Sequence, residues 1–261
     1  QYAKAAKLYV EIASEHSDDP RIDEVWYNAG VNFERARLIG LAIKAREELI
    51  KAKPDSTRAK EAVYLIGRNY QDVARYESAA ERYETYASKY GGEKEAPKAL
   101  NTATFFRRGL GQNEKAIEDT KLFVKQYGAR KEYTDQAAGV AFSEAAIYEQ
   151  TKNYDALKKH LLDYLKVWAG RGGVDRQLVA RVKLGELAWR QSCPVPGVNG
   201  ACIDIVRPKS TKAAQIEAKA NKKKKGKKKG AKLPDVCGRA AKITVHERKP
   251  ALAKEAQAHF A

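Results

Sequence analysis

The 261-residue chain contains no methionine, and its three cysteines all fall within residues 193–237. No window approaches the roughly 18 consecutive apolar residues of a membrane-spanning helix, so none is expected. No secretory leader is visible. The chain starts at Gln1 inside what reads as a helix and without an initiator. A processed or excised piece of a longer polypeptide is therefore expected, with any targeting signal upstream. The short motifs of common catalytic sites are also missing: there is no H-E-x-x-H, no G-x-S-x-G and no phosphate-binding G-x-x-x-x-G-K-[ST]. The histidines, His16, His160, His246 and His259, are scattered, and "GRGG" at 170–173 follows no strand. No enzyme, cofactor or metal is expected.

Positive charge is abundant, and it is local. Between Val206 and Leu233 there are 12 basic residues and one acid, Glu217, so this stretch supplies +11 of the chain's +17. Its centre, "NKKKKGKKKG" (221–230), holds Lys222, Lys223, Lys224, Lys225, Lys227, Lys228 and Lys229. Residues 208–234 contain no aromatic to stack on a base, so the pattern of a nucleic-acid-binding segment is lacking. Lysine repulsion and glycine leave the stretch disordered in isolation. Its readings are a solvated loop or an electrostatic attachment to anionic polymer or lipid headgroups, with nucleic acid the least favoured.

The remainder repeats. "VWYNAGVNF" (25–33), "VYLIGRNY" (63–70), "LNTATFFR" (100–107), "AFSEAAIY" (141–148) and "RVKLGELA" (181–188) align on a small or tight central residue. These residues, Gly30, Gly67, Thr104, Ala145 and Gly185, are 37, 37, 41 and 40 positions apart. About 12 residues further on lies a second set, Ala42, Ala79, Ala116 and Leu157, and both halves of each unit carry apolar residues at helical spacing. A small residue midway along one helix lets the next approach closely, and aromatics such as Phe33, Tyr70 and Tyr148 fill the remaining gap.

This pattern resembles the tetratricopeptide repeat, a helix-turn-helix unit of about 34 residues with the W-x2-L-G-x2-Y…A-x3-F…P signature. Trp26, Ala29, Gly30, Phe33, Ala42 and Pro54 fall at the family spacing. Arg46 departs where the family prefers Phe, and Arg107 stands where the aromatic is expected. The resemblance implies an all-α, right-handed superhelical solenoid of antiparallel helix pairs. Units are expected at 20–56, 57–93, 94–130 and 131–171. They are preceded by a lone second helix in 1–19 and followed by a unit split between 174–191 and 250–261.

The split unit holds an insertion at 192–249. "CIDIV" and "KITVH" alternate as half-exposed strands do, which predicts an antiparallel ribbon of 202–207 against 242–248. A disulfide is expected between Cys193 and Cys202, closing a small turn; Cys202 and Cys237 would lie at opposite ends of the ribbon. Three reduced thiols in a cytoplasmic protein remain the alternative. A zinc site of the cysteines with His246 is disfavoured, because no C-x2-C spacing is present.

By register with the family, the inner face is lined by Tyr27, Tyr64, Asn101, Phe142 and Val182. A second row holds Val31, Arg68, Phe105, Ala146 and Glu186, and a third Glu34, Gln71, Arg108, Glu149 and Trp189. Tyr27, Tyr64, Phe105 and Phe142, with Arg68 and Arg108 beside them, would suit an extended or helical peptide bearing acidic groups. The carboxylate clamp of chaperone-binding members is absent, since Tyr27 and Val31 occupy its opening positions. "KPDSTRAKEAVYLIGRNY" (53–70) is similar to the outer-membrane assembly lipoproteins and Tol-Pal-associated periplasmic proteins. "CPVPGVNGAC" within a repeat array resembles the large tetratricopeptide proteins of gliding-motility machinery. These resemblances imply a non-enzymatic scaffold in the bacterial periplasm or at the outer membrane.

Overall fold

The computed structural model describes residues 1–193, 202–206, 242–246 and 248–260. Two compact units are present, Gln1–Gln177 and Leu178–Ala261.

The first unit is built of α1 (Tyr2–Glu15), α2 (Ile22–Arg35), α3 (Ile39–Ala52), α4 (Thr57–Asp72), α5 (Tyr76–Lys89), α6 (Ala96–Gly109), α7 (Asn113–Tyr127), α8 (Thr134–Ser143), α9 (Ala145–Gln150), α10 (Tyr154–Val167) and the opening turn of α11 (Val174–Ser192). Helices from α1 to α8 each pack on the next in the chain, and α2 also touches α4. This is a stack of antiparallel helix pairs, the arrangement that the tetratricopeptide resemblance implies. α2, α4 and α6 are first helices, and α3, α5 and α7 are their second helices.

The turns inside the pairs show the repeat at backbone level. Positive φ recurs at Arg37 (60°), Ala74 (57°), Gly111 (72°) and Lys152 (55°). At each, the amide of the following residue reaches back to a helical carbonyl: Leu38 to Phe33, Arg75 to Tyr70, Gln112 to Arg107 and Asn153 to Tyr148. These are Schellman closures, which satisfy carbonyls that a helix end otherwise leaves unpaired. Only Gly111 uses the residue type that adopts this conformation freely. The ends of α1, α3 and α5 also match, with His16, Lys53 and Tyr90 in similar non-helical conformations.

Close approach depends on the small residues. A Cβ added to Gly67 would lie 2.8 Å from ring carbons of Tyr83, and one on Gly30 would lie 3.2 Å from Cγ of Arg46. Around these crossings the core is alanine-rich. Ala6, Ala29, Phe33, Ala42 and Ala45 form one cluster, and Ala79, Ala80, Tyr83, Tyr86, Ala99 and Ala103 belong to another.

Besides Ala145, which stands for the glycine of the fourth unit, the departures from the resembled pattern are buried arginines, Arg46 and Arg107, each 1% exposed. Arg46 lays its stem over Gly30 and directs its guanidinium to Glu34 and Asn69. Arg107 grips both carboxylate oxygens of Glu84, at 2.6 and 2.9 Å, and donates to Gln112 at 2.5 Å. A long cation thus fills the slot an aromatic would take, and its charge is met by a neighbouring helix.

The single first helix expected around 141–148 is interrupted. α8 ends at Ser143 and α9 begins at Ala145, with the buried Glu144 between them. Its carboxylate accepts a 2.6 Å bond from the Tyr148 hydroxyl and lies 3.7 Å from Nδ1 of His160.

In the second unit, the rest of α11 is followed by β1 (Cys202–Val206), β2 (Lys242–His246) and α12 (Pro250–Phe260). The strands pair antiparallel, from Cys202 opposite His246 to Val206 opposite Lys242. Cys193 and Cys202 form a disulfide, nine residues apart in sequence. A Cβ on Gly185 would lie 2.7 Å from the Phe260 ring, so α12 meets α11 as a second helix meets its first. The amide of Lys249 donates to the Ser192 carbonyl at 3.0 Å, tying the two ends of the insertion together. Cys237 and the seven lysines from Lys222 to Lys229 lie outside the described residues.

Candidate functional site

Along the first helices of the first unit runs a line of hollows. The first, about 550 Å³, is bounded by Tyr27, Val31 and Glu34 of α2 and by Glu61 and Arg68 of α4. The next, about 540 Å³, uses Tyr64 and Arg68 with Lys94, Glu95 and Lys98. A third, about 420 Å³, lies between Asn101, Phe105 and Arg108 of α6 and Gln136 and Ser143 of α8. A helix places residues at i, i+4 and i+7 on one face, so a register repeated each unit delivers such rows.

Eight of the expected inner-face residues therefore line hollows: Tyr27, Val31, Glu34, Tyr64, Arg68, Asn101, Phe105 and Arg108. The others are placed differently. Gln71 accepts the Tyr83 hydroxyl at 2.9 Å. Phe142 is half-buried and meets Tyr164 edge-on, ring centres 5.2 Å apart, and Glu149 is half-buried. In the second unit, Val182 is exposed, and the Arg248 guanidinium sits 3.7 Å above the Trp189 ring.

Charge within the line is mostly matched. Arg68 donates to Glu34 at 2.6 Å, and Arg46 holds the same carboxylate from the other side. Burial works to raise the Glu34 pKa, but the two guanidinium groups outweigh it and hold the group below the usual carboxylate range. The Tyr27 hydroxyl donates to Glu61 at 3.1 Å, and burial followed by that carboxylate raises its pKa. Tyr64 lies between Tyr83 and Tyr86, with centroids 5.6 and 5.4 Å away, and its pKa is raised by burial and then by Glu95. In the third hollow, Arg176 grips Asp135 with bonds of 2.6 and 3.2 Å.

Two features escaped the sequence reading. The Asp135–Arg176 clasp joins residues 41 apart. A second, apolar hollow of about 350 Å³ opens behind Phe105, lined by Tyr76, Phe106, Gly109 and Leu110. Its signal was the adjacent pair Phe105 and Phe106, with Leu110 four residues after Phe106 and just past the end of α6. Among the described residues no cluster of acids, histidines or cysteines could hold a metal ion. No helix described is long and apolar enough to cross a membrane.

No family model matches the chain, and no curated protein matches it. Solved structures similar to it include proteins described as tetratricopeptide repeat proteins. A TPR-repeat protein from Bacteroides fragilis superposes with a TM-score of 0.48 at 16% identity, over 77% of this chain and 84% of that one. MamA of strain AMB-1 gives a TM-score of 0.42 at 17% identity, over 68% of this chain and 88% of its own. BtubC from P. vanneervenii gives 0.39 at 14% identity, over 90% and 96%.

Proposed function

We propose that the chain is a non-enzymatic scaffold that binds another protein along the first helices of Gln1–Gln177. The supporting observation is the set of three hollows along α2, α4 and α6 in which Tyr27, Tyr64 and Phe105 each present an aromatic beside polar groups. Such a surface buries a peptide's apolar side chains on aromatic anchors while polar groups fix its register.

The finer reading places this scaffold in a bacterial envelope assembly, in the periplasm or at the outer membrane, within a longer protein of the gliding-motility kind. The Cys193–Cys202 disulfide supports an oxidising compartment, and the resemblances of residues 53–70 and 193–202 point the same way. The concentration of +11 within 207–232 favours a second activity, attachment to anionic polymer or lipid headgroups.

Pull-downs from an envelope extract test the first reading, comparing the chain with a Tyr64→Ala/Phe105→Ala variant. Loss of the captured protein is expected; an unchanged catch removes this face from consideration. Deleting 208–234 should leave that catch intact and abolish only salt-sensitive retention on polyanions.

A further inference from the structure

Phe105 is 69% exposed, an unusual position for a phenylalanine with a polar hollow on one side and an apolar one on the other. The apolar hollow behind it is floored by Phe106, whose ring packs 5.0 Å from Tyr76 and 6.5 Å from Tyr83. That floor is continuous with the aromatic core and is therefore firm. Tyr76 and Leu110, each 44% exposed, form the rim, and nothing lies within 4 Å of a Cβ placed on Gly109. The hollow is open, and at about 350 Å³ it has room for one large apolar side chain.

On the other side of Phe105 lies Arg108, one helical turn along α6 and in the same wall of the polar hollow. Among the described residues it has no carboxylate partner. The arginines nearest to it do: Arg107, next in sequence, is taken by Glu84, and Arg176, in the same hollow, by Asp135. Among the described residues, the matched pairs leave Arg108 as the cation on this wall without a counter-charge. Asn101 and Gln136, on opposite walls of the same hollow, offer amides to a passing main chain.

We propose that Phe105 divides a two-part docking site for a peptide segment of another protein. A bulky aliphatic or aromatic side chain of that segment enters the hollow of Tyr76, Phe106 and Leu110, and an acidic side chain nearby pairs with Arg108 across the Phe105 ring. Charge complementarity selects this occupant, because a basic or neutral segment would leave the Arg108 charge unmet on a half-buried wall. The proposal rests on the scaffold reading above and narrows it to one place and one chemistry.

The test is a selection of short random peptides displayed on phage against the 261-residue chain. The enriched peptides are then titrated against wild type and against Phe105→Ala, Arg108→Glu and Tyr27→Ala variants. Neither Phe105 nor Arg108 is in the core, so both variants should keep the wild-type circular dichroism spectrum. Enriched sequences should combine an acidic residue with a large apolar one, and should bind about tenfold more weakly to Phe105→Ala and to Arg108→Glu. Arg108→Lys should restore most of the affinity. Basic or purely apolar winners, or winners indifferent to both variants, overturn the proposal. If binding is lost only in Tyr27→Ala, the scaffold reading stands and this site does not. If nothing is enriched, both fall.

Discussion

The first and second repeats solve the same packing problem with different chemistry. Gly30 faces Arg46, and 37 residues later Gly67 faces Tyr83. In the first repeat the slot holds an ionic network, Arg46 with Glu34 and Asn69, extended by Arg68. In the second it holds packed rings, with Tyr83 tilted against Tyr64 and stacked on Phe106. The helices end alike, with positive φ at Arg37 and at Ala74. What specifies the pair is therefore the small residue and the reversed turn. The slot needs volume, and any polar atom placed there needs a partner.

The comparison can be broken most forcefully at the slots themselves. Tyr83→Ala should cost about 4 kcal/mol, as large aromatic deletions in cores do. Arg46→Ala should cost about 3 kcal/mol, because Glu34 and Asn69 lose a buried partner. The two differ in their response to acid. Because Glu34 has a depressed pKa in the folded state, the stability it confers is present above the ordinary carboxylate range and is lost as pH falls through the depressed value. Urea unfolding should therefore show the gap between wild type and Arg46→Met narrowing below about pH 4, while Tyr83→Leu keeps a constant deficit.

The glycines sharpen the contrast. Gly67→Ala drives a methyl group into a ring wedged between helices and should cost about 2 kcal/mol. Gly30→Ala meets Cγ of Arg46 at 3.2 Å and the Ala42 carbonyl at an ordinary 3.6 Å, and the roughly 1 kcal/mol that alanine gains in a helix should make it close to neutral. Thermal melts of the pair decide this.

An effect smaller than that of Gly67→Ala is expected in the third repeat, where the polar solution is less complete. Asp119 is buried near Glu84 and Arg107; one carboxylate oxygen has no hydrogen-bond partner, and burial, then Glu84, pushes its pKa up to about 8. Between about pH 4 and pH 8 the folded chain then holds a proton that the unfolded chain has released, so stability falls as pH rises through that window. Asp119→Asn should abolish that decline and gain about 1–2 kcal/mol at pH 8 relative to wild type, measured by chemical unfolding at both ends of the window. Ala74→Gly should add about 1 kcal/mol by relieving a left-handed alanine.

Much of this was legible from spacing. Gly30, Gly67 and Gly185 announced the helix crossings, and "CIDIV" with "KITVH" announced the ribbon, because these signals are local and periodic. Arg46 and Arg107 could be seen as departures, but not what they would do. Their partners, Asn69 and Glu84, lie 23 residues away on other helices, and no sequence period links them. The inner face shows the same divide. Register placed Tyr27, Tyr64 and Phe105 beside the hollows, but it could not tell the open Phe105 from Phe142, which leans on Tyr164. That distinction depends on local geometry where α8 gives way to α9 at Glu144, and side-chain type does not encode it.

The bond from Lys249 to Ser192, with the Cys193–Cys202 link beside it, carries a consequence for protein engineering. Chain departure and return are clasped at one spot, close to where α11 and α12 meet. The stretch between 206 and 242 can serve as a cassette. A reporter, an affinity handle or a foreign epitope spliced there should ride on the repeat without the helices registering the exchange.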